Sequence, residues 1–335
     1  MAIMRAPLHE SSRRRLITRA RTLVVALVSA LLLTLLPSFA AANQAADEDP
    51  LAGLDAPRMP AECYGPGQTT VEPAPCPLNT YRPKRPTIIL WGDSHAYQYI
   101  PALREAVRGA GVNLVSFVAG SCAPFAVNRR PGTNYSGKCE RSNDVAMSTI
   151  EDLIRKHRTF KVILGSNWSG FRIAYRRIFL NEDVPADYED YTRKMVKLSH
   201  EGTPKLFTQL GRMGVDVDVI AQAATVPVQK SECAAGTEPY LCDLPRWRAL
   251  PEERDTEQWL RGQMSKLKGS PRYIDATGGY CNASVCHGQI GDIKTFFDNL
   301  HLSATRTRNL DQYFGPSVRE VKRAQQQRNT AHRMT

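Results

Sequence analysis

The chain has 335 residues, 42% of them hydrophobic, with a formal charge of +11. That length supports one large α/β domain and is marginal for two. The charge gives no footing for a nucleic-acid binder: residues 1–42 hold six arginines against Glu10, the tail from Val318 holds five basic residues against Glu320, and the mildly basic body has no basic patch interleaved with aromatics.

In chain order, SRRRLITRARTLVVALVSALLLTLLPSFAAA comes first. It joins an arginine-rich start to a 14-residue apolar run, Leu23 to Leu36, and then to small residues. The run has signal-peptide length and is short for a span of about 20 residues, so residues 1–42 are read as a signal peptide, with an N-terminal anchor kept as the alternative. Either way the body lies outside the cytoplasm, periplasmic or extracellular, because the arginines stay inside. Residues 43–86, rich in proline and glycine, read as a linker tied by two cysteines.

From Thr87 the pattern tightens. TIILWG (87–92), NLVSFVAG (113–120), KVILGSN (161–167) and VDVDVIAQ (215–222) are short β-branched runs, separated by helical patterns over 97–107, 144–156 and 188–213. Strands alternating with helices predict an α/β fold, a three-layer α/β/α sandwich on a mainly parallel sheet, over 87–317. The remaining 318–335 read as a basic, disordered tail that could meet anionic lipid or glycan.

Eight cysteines, all beyond the leader, suit an exported, oxidised chain. Sequential pairing is expected: Cys63 with Cys76, Cys122 with Cys139, Cys233 with Cys242, and Cys281 with Cys286, although eight cysteines permit 105 connectivities. A metal reading of Cys281, Cys286 and His287 lacks a second thiol pair at zinc spacing. No metal and no cofactor is expected.

In parallel α/β sheets, ligands sit beyond the carboxyl ends of the strands. The residues there are Gly92-Asp93-Ser94-His95, Gly120-Ser121-Cys122 and Gly165-Ser166-Asn167-Trp168. A serine on a strand-to-helix turn exposes its hydroxyl, and the N–H groups of Ser94 and Gly120 with the Asn167 amide make three candidate oxyanion donors. The base is expected in TFFDNLHLSATR, where Asp298 and His301 are three apart, so the carboxylate can hold the imidazole while His301 serves Ser94. His95, adjacent to the serine, is read as structural or substrate-orienting, and Asp93 as a turn-holding acceptor. Trp168 is read either as a stacking surface for sugar or as a core residue.

Gly92-Asp93-Ser94, Gly120, Asn167 and Asp298-x-x-His301 together resemble the four blocks of the SGNH, or GDSL-like, esterase superfamily. GDSHA, SCAPF after the second strand, the tryptophan after the third block and the cysteine pair running into DxxHLS resemble one branch. That branch is the periplasmic SGNH domain found fused to membrane acyltransferase-3 proteins, which O-acylate surface polysaccharides. The resemblance spans about 87–310. It implies a flavodoxin-like SGNH fold, an acyl-enzyme on Ser94, a polysaccharide substrate and a membrane acyltransferase partner supplying acyl groups.

Three features depart from the branch. No apolar run after Leu36 is long enough to span a bilayer, so the chain reads as a stand-alone domain whose acyl donor is unexplained. The branch has HLSxxG where this chain has HLSATR with Arg306, which puts the local helix packing in question. Alginate-type acetyltransferases place Asp-x-His before the serine, whereas here the pair follows it. There is no GxSxG, HExxH, P-loop or GxGxxG, which removes the α/β-hydrolase, metalloprotease and nucleotide readings. Acyl transfer to polysaccharide and ester hydrolysis from it share one intermediate and stay open. A degenerate module that binds glycan or a membrane acyltransferase is the alternative.

Overall fold

A computed structural model of the protein describes residues 54–60, 63, 74–128, 137–180, 190–226 and 241–334. The expected leader at 1–42 lies outside these residues, and among them no helix is long and apolar enough to cross a membrane.

The sheet is built from β1 (Cys76–Pro77), β2 (Thr87–Gly92), β3 (Asn113–Val118), β4 (Phe160–Gly165), β5 (Val217–Ile220) and β7 (Tyr273–Ile274), ordered β1-β3-β2-β4-β5-β7. A short strand β6 (Leu244–Pro245) lies outside it, paired with Val285–Cys286. All neighbours in the main sheet are parallel except β1, which pairs antiparallel with β3. Taken alone, the five parallel strands have the flavodoxin-like order 2-1-3-4-5, whose direction reverses between β2 and β4.

The middle strands lie between two apolar layers, which is why they read as unbroken hydrophobic runs. Ile88 and Leu90 of β2 face one cluster with Ile100, Leu103 and Val107, while Ile89 and Trp91 face the other with Ala146, Ile150 and Leu153. Those partners belong to α2 (Ile100–Val107) and α3 (Lys138–Arg155), which therefore cover opposite faces of the sheet. The predicted sandwich is confirmed. The expected helix over 97–107 is instead two pieces, α1 (Ser94–Tyr97) and α2, with Pro101 at the start of the second, where its missing N–H costs nothing.

Two expected boundaries are corrected. The described part of the 43–86 linker is integral to the domain: Ala56, Met59, Cys63, Cys76 and Leu78 are buried, and β1 extends the sheet. Asp55 also accepts N–H bonds, through its backbone oxygen from Ala304 at 2.6 Å and through its carboxylate from Thr305. Proline content suggested a connector, yet the few apolar residues between the prolines supply enough surface to dock it.

The tail expected to be disordered is the helix Gly315–Met334. Phe314, Val318 and Val321, spaced four and three apart, form a buried stripe against the α2 layer, and the charge count concealed that helical periodicity. Glu320 pairs with Arg272 Nε at 2.9 Å and with the buried Lys161 Nζ at 3.1 Å.

Three of the four predicted disulfides lie among the described residues: Cys63–Cys76, Cys122–Cys139 and Cys281–Cys286. Cys242 is also disulfide-bonded, and its expected partner Cys233 lies outside the described residues.

Candidate active site

The sharpest packing constraint lies where β2 and β4 end. Gly92 and Gly165 are register partners, and a Cβ on Gly92 would stand 1.7 Å from the Gly165 carbonyl oxygen. Only glycine allows the two chain ends to close there, at the point where strand order reverses. Asp93 follows, almost wholly buried. Its Oδ1 accepts the His95 N–H at 2.8 Å, capping α1, while Oδ2 accepts the Ser166 hydroxyl at 2.5 Å and the Asn167 N–H at 3.0 Å. Burial pushes this carboxyl above its usual range, and the three hydrogen bonds oppose that shift without reversing it. Asp93 therefore fastens the serine loop to the asparagine loop, the turn-holding role expected of it.

Ser94 opens α1, half-buried on the carboxyl rim of the sheet. Its strand lies between the two that carry the other expected donors, with Gly120 exposed beyond β3 and Asn167 beyond β4. Ser121, next to Gly120, has φ of 60°, a left-handed conformation that costs a non-glycine residue roughly 1–2 kcal/mol. The disulfide at Cys122 and the buried Asn143 hold that loop: Asn143 accepts from Trp91 Nε1 and the Phe125 N–H and donates to the carbonyls of Ala123 and Cys139. Asn167 Oδ1 accepts from the Gly170 N–H at 3.1 Å and from Gln222 Nε2 at 3.3 Å. With the oxygen end engaged, the Nδ2 end of the amide is left as the donor.

Asp298 and His301 share one tight loop. Asp298 Oδ1 accepts the N–H groups of Leu300 and His301, both at 2.7 Å, and its carboxylate meets His301 Nδ1 at 2.8 and 3.0 Å. Burial raises the Asp298 carboxyl, but the hydrogen bond and charge of His301 together with the two backbone donors outweigh it, leaving the group below the usual carboxylate range. That contact assigns the proton to Nδ1 and makes Nε2 the basic nitrogen. His301 Nε2 is buried and has no hydrogen-bond partner. Phe297 stacks against the ring at 5.6 Å, and the Leu302 N–H donates to Gln98 Oε1 at 2.8 Å, which ties this loop to the segment just after Ser94.

His95 stands 5.3 Å from the His301 ring, buried, with neither ring nitrogen bonded. Burial first, then the neighbouring His301, lowers it to about 3, so it is a neutral imidazole at any working pH. No hydrogen bond joins Ser94 to His301; catalytic contacts of this kind commonly tighten only around substrate.

Trp168, next to Asn167 in the chain, is buried rather than presented to the site. It is 2% exposed and donates Nε1 to the Ile220 carbonyl at 2.8 Å, so the stacking role considered for it is withdrawn in favour of the core reading. Sequence reasoning missed Gln98, Asn143 and Gln222, the polar braces behind the loops. Gln98 meets Leu302 across 204 positions of chain, a separation at which no local pattern gives a signal. Arg306, where the resembling branch has glycine, forms part of an intact helix Ala304–Arg308 and donates to the carbonyls of Ile290 and Ile293. The departure thus adds a side-chain brace to the 290–293 turn.

A family model described as "SGNH domain (fused to AT3 domains)" matches residues 62–316, a span that holds all four site blocks. The chain belongs to the SGNH family. Membership places it among ester-hydrolysing and acyl-transferring domains, and the bridges of this SGNH chain fit an exported protein. A search of solved structures gives the lipopolysaccharide acetyltransferase periplasmic domain of Salmonella ser. Paratyphi A, at 15% identity and TM-score 0.44, covering 71% of this chain and 85% of that one. A likeness of that strength carries no weight for function. No curated protein matches the sequence.

Proposed function

We propose that this SGNH domain transfers or hydrolyses O-acyl groups on cell-envelope polysaccharide through an acyl-enzyme on Ser94. The observation that carries the reading is His301, whose Nδ1 is held by Asp298 while Nε2 is left buried and unpartnered on the rim that bears Ser94. A buried acceptor without a partner is destabilising by roughly 1–3 kcal/mol, and a base waiting for a serine or substrate proton accounts for it.

In the first step Ser94 Oγ attacks the acyl carbonyl carbon as His301 Nε2 takes the hydroxyl proton. The oxyanion is stabilised by the N–H groups of Ser94 and Gly120 and by Asn167 Nδ2. His301 then returns the proton to the departing alkoxide, leaving the acyl group esterified to Ser94. Water or a sugar hydroxyl attacks that ester, gives its proton to His301 and releases Ser94, whose oxygen is reprotonated. Asp298 keeps Nδ1 protonated and steadies the imidazolium in both halves. A membrane acyltransferase as acyl source, and attachment through the N-terminal segment, belong to the same proposal.

The test is p-nitrophenyl acetate turnover by the purified protein and by Ser94→Ala at equal folded concentration. Turnover that falls about 10³-fold or more with Ser94 establishes the nucleophile. The missing Ser94–His301 hydrogen bond favours a second reading, a non-catalytic module that binds glycan or an acyltransferase. Equal background rates in the two proteins would select it.

A further inference from the structure

From the position of Trp247 we infer a glycan-binding subsite on the same rim as Ser94; this rests on reading Ser94 as the centre of polysaccharide acyl chemistry, and it moves sugar recognition from the buried Trp168 to Trp247. Of the four tryptophans, Trp91 and Trp168 are buried, whereas Trp247 is 73% exposed. The exposed indole leaves an apolar ring face available to a ligand.

Its placement follows from the topology and two backbone bonds. Trp247 lies on the short helix Arg246–Ala249. The Thr225 N–H, in the loop after β5, donates to the Ala249 carbonyl at 2.8 Å, and the next residue, Val226, donates to the Asn299 carbonyl at 2.7 Å. Asn299 lies between Asp298 and His301, so two consecutive residues link the tryptophan helix to the histidine loop. The helix Glu253–Met264 precedes the parallel strand β7 and so begins on the carboxyl rim. An open cleft of about 700 Å³ beside Trp247 is lined by Arg246, Trp247, Leu250, Glu253, Ala283 and Ser284, among others.

The support is rigid. Arg246 donates Nε to Glu253 at 2.8 Å and Nη1 to the Asn282 carbonyl at 2.9 Å, which pins the first turn. The Arg248 guanidinium lies 5.7 Å from the indole centroid. The chemistry of the walls selects the ligand class. A groove for lipid or for an amphipathic helix needs a contiguous apolar surface, whereas here the indole, Leu250 and Ala283 are interleaved with carboxylates, guanidinium groups and a hydroxyl. A pyranose matches that mixture, presenting an apolar C–H face to the ring and hydroxyls to the polar rim.

The experiment uses the full chain and O-acetylated xylo-, malto- and chito-tetraose as probes, with p-nitrophenyl acetate as the small reference ester. With Trp247→Ala, the KM for at least one acetylated tetraose should rise about tenfold while p-nitrophenyl acetate turnover stays within about twofold of wild type. Trp247→Phe should recover most of the loss. Calorimetric titration of the same tetraose into Ser94→Ala and into Ser94→Ala/Trp247→Ala should show the matching tenfold change in Kd. The subsite is overturned if Trp247→Ala leaves KM and Kd unchanged, or if wild type turns over the aryl ester yet neither binds nor prefers any tetraose. Absent aryl-ester turnover with Trp247-dependent tetraose binding would instead overturn catalysis at Ser94 and keep the subsite.

Discussion

The two ends of the one parallel sheet carry polar clusters of opposite character. At the amino end, Lys161 is 1% exposed in its side chain, yet its Nζ meets Asp216 at 2.8 Å, Asp218 at 3.1 Å and Glu320 at 3.1 Å. Asp218, itself fully buried, also accepts the Ser317 hydroxyl at 2.6 Å and the Arg272 N–H at 2.9 Å. At the carboxyl end, His301 Nε2 and both nitrogens of His95 are buried with no partner. Both clusters contain buried titratable groups; only one is left chemically open. Paired charges lock a fold, while buried imidazole nitrogens without a partner mark a place where chemistry can be done.

Substitutions can break that contrast, and the largest effect is expected at the open end. His301→Ala or Asp298→Asn should lower p-nitrophenyl acetate kcat by about 10³- to 10⁴-fold while the thermal midpoint moves little. A comparable loss of melting temperature would return the pair to a structural role. The closed end should behave in the opposite way. Lys161→Met leaves Asp218 buried without its counter-charge, and loss of about 3–5 kcal/mol is expected in denaturant titration, with activity per folded molecule preserved.

The bridges come next. Replacing Cys63 and Cys76 with serine opens a loop of 13 residues and should cost about 2–3 kcal/mol on the chain-entropy account, read as a drop in melting temperature. It should also loosen β1 from β3. His95→Phe sharpens the comparison from the other direction. The ring fills similar space and two orphaned nitrogens disappear, so stability should hold or rise by about 1 kcal/mol. A roughly tenfold drop in kcat/KM alongside that would mark His95 as meeting substrate, and unchanged kinetics would mark it as filler.

Acidification gives the broadest effect. Asp298 is held below its ordinary value of 3.8 and Glu320 below 4.5, the latter against the effect of its own burial by hydrogen bonds from Arg272 and Lys161. A carboxyl lowered on folding contributes stability that is fully present above its unfolded value and lost as pH falls through the folded one. His95, lowered to about 3 from 6.5, takes up a proton on unfolding below that ordinary value, so melting temperature should begin to fall below about pH 6.5 and fall further below about 4 as the two carboxyls titrate. Glu320→Gln should flatten that decline. Lys161 is raised above 10.5: its burial acts downward, and the charges of Asp218 and Asp216 override it. The amino-end tie consequently persists until pH rises beyond that value.

Much of the fold was legible because β2, β3 and β4 are buried on both faces and so appear as apolar runs. Glycine, serine and asparagine then mark the points where those strands end. Four short blocks consequently identified the loops that meet at the site. Strand β7 was not legible: Tyr273–Ile274 is a two-residue strand, and nothing in so short a run separates strand from loop. The C-terminal helix was misjudged because net charge is a property of all faces, whereas docking depends on the single stripe of Phe314, Val318 and Val321.

By itself, then, the sequence determined the alternation of strands and helices, the cysteine pairs that suit export, and the four short blocks of the SGNH family, since all of these depend on local pattern and composition. Only the tertiary structure decided which of those residues are open to act. It buried Trp168, exposed Trp247, closed the circuit from Asp93 to Ser166 and braced the His301 loop with Gln98. Those outcomes depend on burial and hydrogen-bond partners supplied by distant parts of the chain, and they exist only once the sheet and both its helical layers have assembled.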